Sequence, residues 1–225
     1  MFILLIVFTL VISGAATLLV KSQISKYSKV PAASGLTGAE TAAHILRAKG
    51  IYDVQVVPVN GMTGDHYDPA KKIIALTPNV YNSSSTAAVG IAAHECGHAI
   101  QHQQAYAWLE LRSSVVGMTQ YSSTLFYLPF IFMAMGVLAP YTGYMIMALG
   151  AAIIMGLNLI TLPVEFDASA RAKAILPELG IIQTQAESTA VSRVLNAAAL
   201  TYVAAFLASL ANVVYYLALA GDRRR

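Results

Sequence analysis

The chain has 225 residues, of which 57% are hydrophobic and only 11% are charged. A soluble globular domain usually carries about 25% charged residues, so this composition excludes an ordinary soluble protein and indicates a membrane protein. The net charge of +3 comes without any basic run interleaved with aromatic residues, which argues against nucleic acid as a partner and favours the lipid bilayer. The only cysteine, Cys96, excludes an intramolecular disulfide.

The apolar stretches predict four membrane spans. Residues 1–20 are interpreted as an uncleaved transmembrane anchor, because basic residues follow the apolar run and none precedes it as in a signal peptide. No Asp, Glu, Lys, Arg or His occurs in residues 113–164 or in residues 194–221. Since one span needs about 20 apolar residues, we expect a transmembrane hairpin over residues 116–163, turning near Pro140. A single transmembrane helix is predicted over residues 194–221.

The polar segments are predicted to lie in the cytoplasm. With the amino terminus outside, residues 21–115 and 164–193 contain 11 of the 14 Lys and Arg residues, in agreement with the positive-inside rule. Arg223–Arg225 would then lie outside, against that rule, so the side of the carboxyl terminus stays open. In either orientation two spans separate His94 from Glu165, which puts both residues on the same side of the membrane.

The first polar segment is predicted to be a small α+β unit. Thr37 and Glu40 have the spacing of a capping box and begin a short helix that ends before Gly50. Residues 51–57 and 72–76 are rich in β-branched and other apolar residues and predict two strands. The fold class is therefore a mainly α membrane protein, with about four transmembrane helices and a small α+β cytoplasmic unit.

The most informative motif is His94-Glu95-Cys96-Gly97-His98. Residues four apart lie on one face of a helix, so His94 and His98 can bind one zinc ion. Glu95 is placed to take a proton from a water molecule that the metal activates. An Ala-rich run precedes the motif, and a helix is predicted from about Ser84 to Arg112, which makes the unit zincin-like. The alternative is a pair of ordinary helical histidines.

Glu165 is the best candidate for the third zinc ligand. It follows the apolar hairpin directly, where a carboxylate is costly unless it is paired. Folding the hairpin back brings this residue towards the end of the motif helix. The alternative is an interfacial anion at the start of a helix. His102 lies about 12 Å from His94 along a straight helix and is offset by about 80°, so it is expected outside the metal site.

Four further residues are candidates for supporting roles. Asp167 could orient a ligand histidine or form an ion pair with Arg171, four residues later. Arg171 could alternatively stabilise an oxyanion. His66 and Tyr67 lie in a polar loop, residues 65–69, which could bind metal or polarise a carbonyl, although a hydrogen-bonded turn is the favoured reading. Cys96 is expected to be a packed small residue on the opposite helix face.

Several motifs together resemble a known family. They are Gly35-Leu36-Thr37-Gly38-Ala39-Glu40, Asp65-His66-Tyr67-Asp68-Pro69, the run from Ala92 to His102, the run from Thr161 to Ser169, and the run from Ala197 to Ala205. The chain resembles the YugP-type neutral zinc metallopeptidases over nearly its whole length. More distantly it is similar to the HtpX-like membrane peptidases, whose third zinc ligand is a glutamate after a membrane hairpin. Those enzymes carry an Asp four residues after that glutamate, where this chain has Ser169.

The resemblance and the motifs together predict a multi-pass cell-membrane protein that acts as a zinc-dependent endopeptidase on the cytoplasmic side. The metal ligands would be His94, His98 and Glu165, the catalytic base Glu95, the cofactor Zn²⁺ and the substrate a membrane-associated polypeptide. Two alternatives stay open. One is a non-catalytic membrane adaptor with a structural metal site, and the other is a zinc hydrolase of a non-peptide substrate.

Overall fold

A computed structural model describes residues 2–60, 64–119 and 124–222, and this part of the chain is mostly helical. Its elements in chain order are α1 (Phe2–Tyr27), α2 (Gly38–Ala48), β1 (Gln55–Pro58), β2 (His66–Asp68), β3 (Ile73–Leu76), α3 (Pro78–Tyr81), α4 (Thr86–Gln103), α5 (Ala107–Thr119), α6 (Thr124–Ala134), α7 (Pro140–Glu178) and α8 (Gln185–Asp222). Arg223–Arg225, whose side of the membrane the sequence leaves open, are not among the described residues.

The elements form two compact units. Unit 1 consists of Met1–Ala16, Glu110–Pro163 and Thr201–Arg225, and unit 2 consists of Thr17–Leu109 and Val164–Leu200. Unit 1 is apolar and helical, whereas unit 2 contains the sheet and the predicted site residues. The boundary of unit 2 at Val164 therefore assigns Glu165 to the same unit as the histidine motif.

Among the described residues, three helices are long and apolar enough to cross a membrane: α1, α7 and α8. The break between α6 and α7 lies earlier than the predicted turn: α6 ends at Ala134, Gly136 has φ +71°, and α7 already begins at Pro140. The hairpin across the membrane stays a prediction. The predicted first arm of the hairpin corresponds to α5 and α6. Residues 120–123, between these helices, are not among the described residues. The fourth span therefore stays a prediction.

Within unit 1, two close contacts join neighbouring helices. A Cβ atom at Gly143 would overlap the Met133 side chain, so the absence of a side chain there lets α6 and α7 approach each other. Further along α7, Asn158 Nδ2 donates hydrogen bonds to the Ala205 carbonyl oxygen and to Ser209 Oγ of α8, both at 3.2 Å. An amide in an apolar segment is costly unless it is hydrogen-bonded, and α8 supplies its partners.

The long helices do not end at the predicted segment boundaries. α7 continues without a break from the apolar stretch through Glu165 to Glu178, and α8 already begins at Gln185. The composition changes from apolar to polar near residue 164, whereas the backbone hydrogen bonding of the helix continues. The division of the chain into spans and cytoplasmic segments stays a prediction.

The single helix predicted from Ser84 to Arg112 is interrupted, and its last part, from Ala107, belongs to the separate helix α5. α4 ends at Gln103, and Ala105 takes a positive φ of +49° before α5 begins. The N–H groups of Gln104 and Tyr106 bond to carbonyl oxygens of the last turn of α4 and so terminate it. No glycine marks this stop, which is why a sequence pattern misses it.

The sheet of unit 2 has the strand order β1-β3-β2. β1 pairs in parallel with β3, and β2 pairs antiparallel with it, so that His66 lies opposite Ala75. Both predicted strands are confirmed with shorter bounds. The loop predicted over residues 65–69 is partly wrong, because residues 66–68 form a strand and only the turn after Asp68 is present, where Asp68 Oδ1 accepts from the N–H groups of Ala70 and Lys71.

Helices α2 and α4 pack against each other and against the sheet. The predicted capping box is confirmed, since the Thr37 and Glu40 side chains each bond to the other's backbone N–H. The core contains apolar residues from α2, the sheet, α4 and α7. Removal of these side chains from water stabilises unit 2. Its fully buried members include Ile45, Ile74, Leu76, Val89, Ala92, Ala93 and Leu176.

Candidate metal centre

α4 presents His94 and His98 side by side. Ser85 caps the helix, with its side chain accepting from the Ala88 N–H at 3.2 Å, and a run of mostly small residues leads to the motif. The two imidazole rings lie one helical turn apart, with ring centroids 4.8 Å apart and planes at 84°. The i, i+4 spacing therefore produces the pairing that the motif predicts.

α7 brings Glu165 to the two histidines. Glu165 Oε2 lies 3.2 Å from His94 Nε2 and 3.7 Å from His98 Nε2, and the carboxylate side chain is 3% exposed. α4 and α7 approach closely where Gly97 faces α7. Because α7 continues past the end of the apolar stretch, Glu165, the predicted third ligand, lies next to the two histidines.

The donor set fits zinc. One donor atom from each of His94, His98 and Glu165 lies within 4.8 Å of the other two. Ligand atoms at about 2.0–2.2 Å from a tetrahedral zinc ion stand about 3.3–3.6 Å from one another. The two distances from Glu165 Oε2, 3.2 Å to His94 and 3.7 Å to His98, lie close to that range. Two imidazoles and one carboxylate are also the ligand types of a catalytic zinc site with an open fourth position.

The surroundings of the cluster favour a cation. Burial opposes the charged form of His98, but the adjacent Glu165 carboxylate and the negative charge of Glu95 outweigh it, so the pKa of His98 is raised. Glu95 lies between the two histidines in sequence and is itself buried, at 7% exposure. A positive charge at this position is therefore stabilised by two carboxylates.

Asp167 and Arg171 form the predicted ion pair, with Arg171 Nε 2.5 Å from Asp167 Oδ2. Arg171 Nη1 also donates to Gln104 Oε1 at 2.7 Å, and its guanidinium lies 5.8 Å from the centre of the Tyr106 ring. These contacts direct Arg171 to neighbours outside the three-residue cluster. They give its predicted role as an oxyanion donor no support, and that role stays a prediction.

Two residues that sequence reasoning did not assign contact the histidines. Gln101 Oε1 lies 3.0 Å from His98 Nδ1, and Ser169 Oγ lies 3.2 Å from His94 Nδ1. Asp167 does not contact a histidine directly but accepts a hydrogen bond from Gln101. The sequence spacing could have identified both residues. Gln101 follows His98 by three residues and Ser169 follows Glu165 by four, which places each on the same helix face as a predicted metal ligand.

His66 and Tyr67 are not part of the three-residue cluster. The Tyr67 hydroxyl lies 2.7 Å from His102 Nδ1, and His66 Nδ1 lies 2.8 Å from the Gly64 carbonyl oxygen. Burial, together with the charges of Asp53 and Asp68, raises the pKa of Tyr67 to about 12. As expected, His102 is also outside the cluster.

Cys96 is a packed residue, as predicted. Its side chain is fully buried and its thiol donates to the Ala42 carbonyl oxygen at 3.6 Å, on the side of α4 that faces α2. Burial raises the pKa of the thiol. The thiolate that a metal or an electrophile would need is therefore disfavoured.

Comparisons with known proteins agree with this geometry. The profile of a family described as "putative neutral zinc metallopeptidase" matches residues 2–221. The chain is 44% identical over 219 residues to a Bacillus subtilis (strain 168) protein named "putative membrane protease YugP", with 96% of this chain and 95% of that protein covered. No solved structure gives a significant match. With a match over nearly its full length and three helices capable of crossing a membrane, the chain belongs to this zinc metallopeptidase family.

Proposed function

We propose that the protein is a membrane-embedded zinc-dependent endopeptidase that hydrolyses peptide bonds at the cytoplasmic face of the cell membrane. The observation that carries this proposal is the convergence of His94, His98 and Glu165 from two helices, with the buried carboxylate of Glu95 on the same helix as the histidines. A structural zinc site is usually closed by four protein ligands. A cluster of three ligands beside a carboxylate suits hydrolysis better.

In this mechanism His94, His98 and Glu165 would hold the zinc ion, and Glu95 moves the proton. When bound, the ion would supply Lewis acidity toward the substrate carbonyl and a water molecule. Glu95 takes a proton from the water as the water oxygen bonds to the carbonyl carbon. When the C–N bond breaks, Glu95 delivers that proton to the leaving amine nitrogen. The burial of Glu95 keeps this carboxylate from bulk water.

The distribution of charge supports the cytoplasmic side. The two polar segments that supply the cluster also carry 11 of the 14 Lys and Arg residues. A membrane-associated polypeptide is the proposed substrate, since the family description and the name of the Bacillus relative both specify peptide-bond cleavage.

The test uses full-length protein purified in detergent and loaded with zinc. Zinc per chain is measured by mass spectrometry, and cleavage of an unfolded model polypeptide such as casein is followed by identifying the products. The variants are Glu95→Gln and Glu165→Gln. The matched control is Glu178→Gln, a change of the same type on α7 at an exposed residue paired with Lys49.

We expect about one zinc per wild-type chain, retained in Glu95→Gln and in the control but lost in Glu165→Gln. Cleavage should disappear in both site variants and persist in the control. Wild-type cleavage by Glu95→Gln would overturn the mechanism. Zinc binding with no polypeptide cleavage by the wild type would favour a structural metal site or a non-peptide substrate.

A further inference from the structure

Gln101 is an uncharged polar residue in a fully buried position beside the three-residue cluster of His94, His98 and Glu165. It lies on α4, three residues after His98, and its relative exposure is 0%. Burying an amide without hydrogen bonds is costly, and both ends of this amide are engaged. Nε2 donates to the Val164 carbonyl oxygen at 2.8 Å and to Asp167 Oδ2 at 2.8 Å, while Oε1 faces His98 Nδ1 at 3.0 Å.

These partners allow one orientation of the amide. A carbonyl oxygen and an ionised carboxylate only accept hydrogen bonds, so the NH₂ group must face Val164 and Asp167. Arg171 Nε donates to the same oxygen of Asp167, so this oxygen acts as an acceptor at both contacts. The amide oxygen is then left for His98. Because that oxygen also only accepts, His98 Nδ1 must carry a hydrogen.

The orientation of Gln101 therefore determines the tautomer of His98. A neutral imidazole has one N–H group, and with the hydrogen on Nδ1 the lone pair on Nε2 is available to a metal. Nε2 is the atom that faces Glu165 Oε2. We propose that Gln101 is a positioning residue that holds His98 in its metal-binding tautomer, and that Asp167 and the Val164 carbonyl hold Gln101 in turn.

The same amide aligns two helices at the site. Val164 and Asp167 flank Glu165 on α7, so the hydrogen bonds of Gln101 connect the histidine ligand of α4 to the segment that carries the carboxylate ligand. His94 has a different partner, because the Ser169 hydroxyl can either donate or accept. Ser169 therefore does not determine the tautomer of His94, and it serves as a matched comparison.

The inference rests on the proposed metal site, but its first test needs no metal. In zinc-free protein with ¹⁵N-labelled histidine, the nitrogen chemical shifts of His98 report which ring nitrogen is protonated, at a pH where the ring is neutral. The signal is assigned by its loss in His98→Asn. We expect hydrogen on Nδ1 in the wild type and in Ser169→Ala. In Gln101→Met, which keeps the side-chain volume without an amide, we expect a mixture of tautomers.

The second test is the zinc dissociation constant, measured by competition with a chelator of known affinity. Outer partners of metal-ligating histidines typically contribute about 10–100-fold to metal affinity, and we expect a loss of this size in Gln101→Met. Asp167→Ala removes one of the two acceptors of the amide and should show a smaller loss, and it replaces Gln101→Met if that variant does not fold.

An unchanged tautomer in Gln101→Met, whatever its zinc affinity, would overturn the inference, because Gln101 would then act only through packing. Affinity within about twofold of wild type would also contradict it, since the outer partner would contribute less than usual. A wild type that binds no zinc would refute the proposed function, yet the tautomer measurement would still decide the role of Gln101.

Discussion

Gly97 of α4 lies directly against the backbone of Ala168 in α7, so closely that a Cβ atom on Gly97 would stand 2.6 Å from the Ala168 carbonyl oxygen. The neighbouring atoms are main chain and cannot rotate away. This contact sets the separation of the two helices one residue before His98 and three residues after Glu165. The glycine inside the histidine motif is thus a geometric requirement of bringing ligands together from two helices.

Gly97→Ala should therefore force α4 and α7 apart. We expect a loss of about 1–3 kcal/mol in unfolding free energy from overpacking, together with much weaker zinc binding, measured by thermal unfolding and chelator competition. Gly90→Ala on the same helix is the control. There the nearest atom is a Val191 methyl carbon at 3.3 Å, and alanine improves helix propensity by about 1 kcal/mol. Equal zinc affinity in the two variants would contradict the close-packing argument.

Zinc should stabilise the fold through Glu165. A ligand that binds only the folded state adds about 4 kcal/mol when its free concentration is 1,000 times its dissociation constant. We expect the apparent Tm of the wild type to rise with zinc and to fall again with a chelator. Glu178→Gln should behave in the same way. Glu165→Gln should show little response, and a full zinc-dependent rise in that variant would remove Glu165 from the ligand set.

Cys96 should be unreactive in the folded protein. Its side chain is fully buried and burial raises the pKa of the thiol, so the nucleophilic thiolate is both shielded and scarce. We expect alkylating reagents to label it at least about 100-fold more slowly than in the unfolded chain, because labelling must await local opening. Cys96→Ser offers a blank for the assay. Rapid labelling of the native protein would show that α2 and α4 separate readily.

Local spacing in the sequence predicts the ligand set but not the contacts that orient it. The capping box at Thr37 and the pairing of His94 with His98 depend on residues three or four apart, which a sequence displays directly. The cost of a carboxylate at the end of an apolar stretch indicates Glu165. The partners of Gln101, in contrast, depend on how α7 is aligned against α4, and no local pattern specifies that alignment.

The sequence mispredicts the loop at residues 65–69 and the end of α4 for the same reason. Residues 66–68 are polar and follow a turn-rich segment, yet they form a strand because β3 offers hydrogen-bonding partners from elsewhere in the chain. The stop of α4 after Gln103 depends on Ala105 at positive φ, a conformation usually marked by glycine or asparagine. In both cases a non-local or unfavourable local arrangement is maintained by the surrounding structure, and intrinsic propensity does not reveal it.

The start of α8 supplies the last prediction, because Glu187 there links two distant segments. Its carboxylate accepts from the N–H groups of Gln183 and Thr184 and from the Thr184 hydroxyl, and it also accepts from the Ala33 N–H at 2.6 Å. The residue is 6% exposed, so water cannot replace these partners well. Glu187 thus both caps α8 and holds the segment that follows α1.

Glu187→Ala should lower the unfolding free energy by about 1.5–3 kcal/mol, the range for hydrogen bonds to a charged group. Glu40→Ala is the matched control, because Glu40 also caps a helix but is more exposed, and its carboxylate bonds to Thr37 at the start of its own helix. Its cost should be clearly smaller, because water can replace the partners of an exposed carboxylate. Chemical unfolding followed by circular dichroism compares the two, and an equal cost would mean that the bond to Ala33 contributes nothing beyond helix capping.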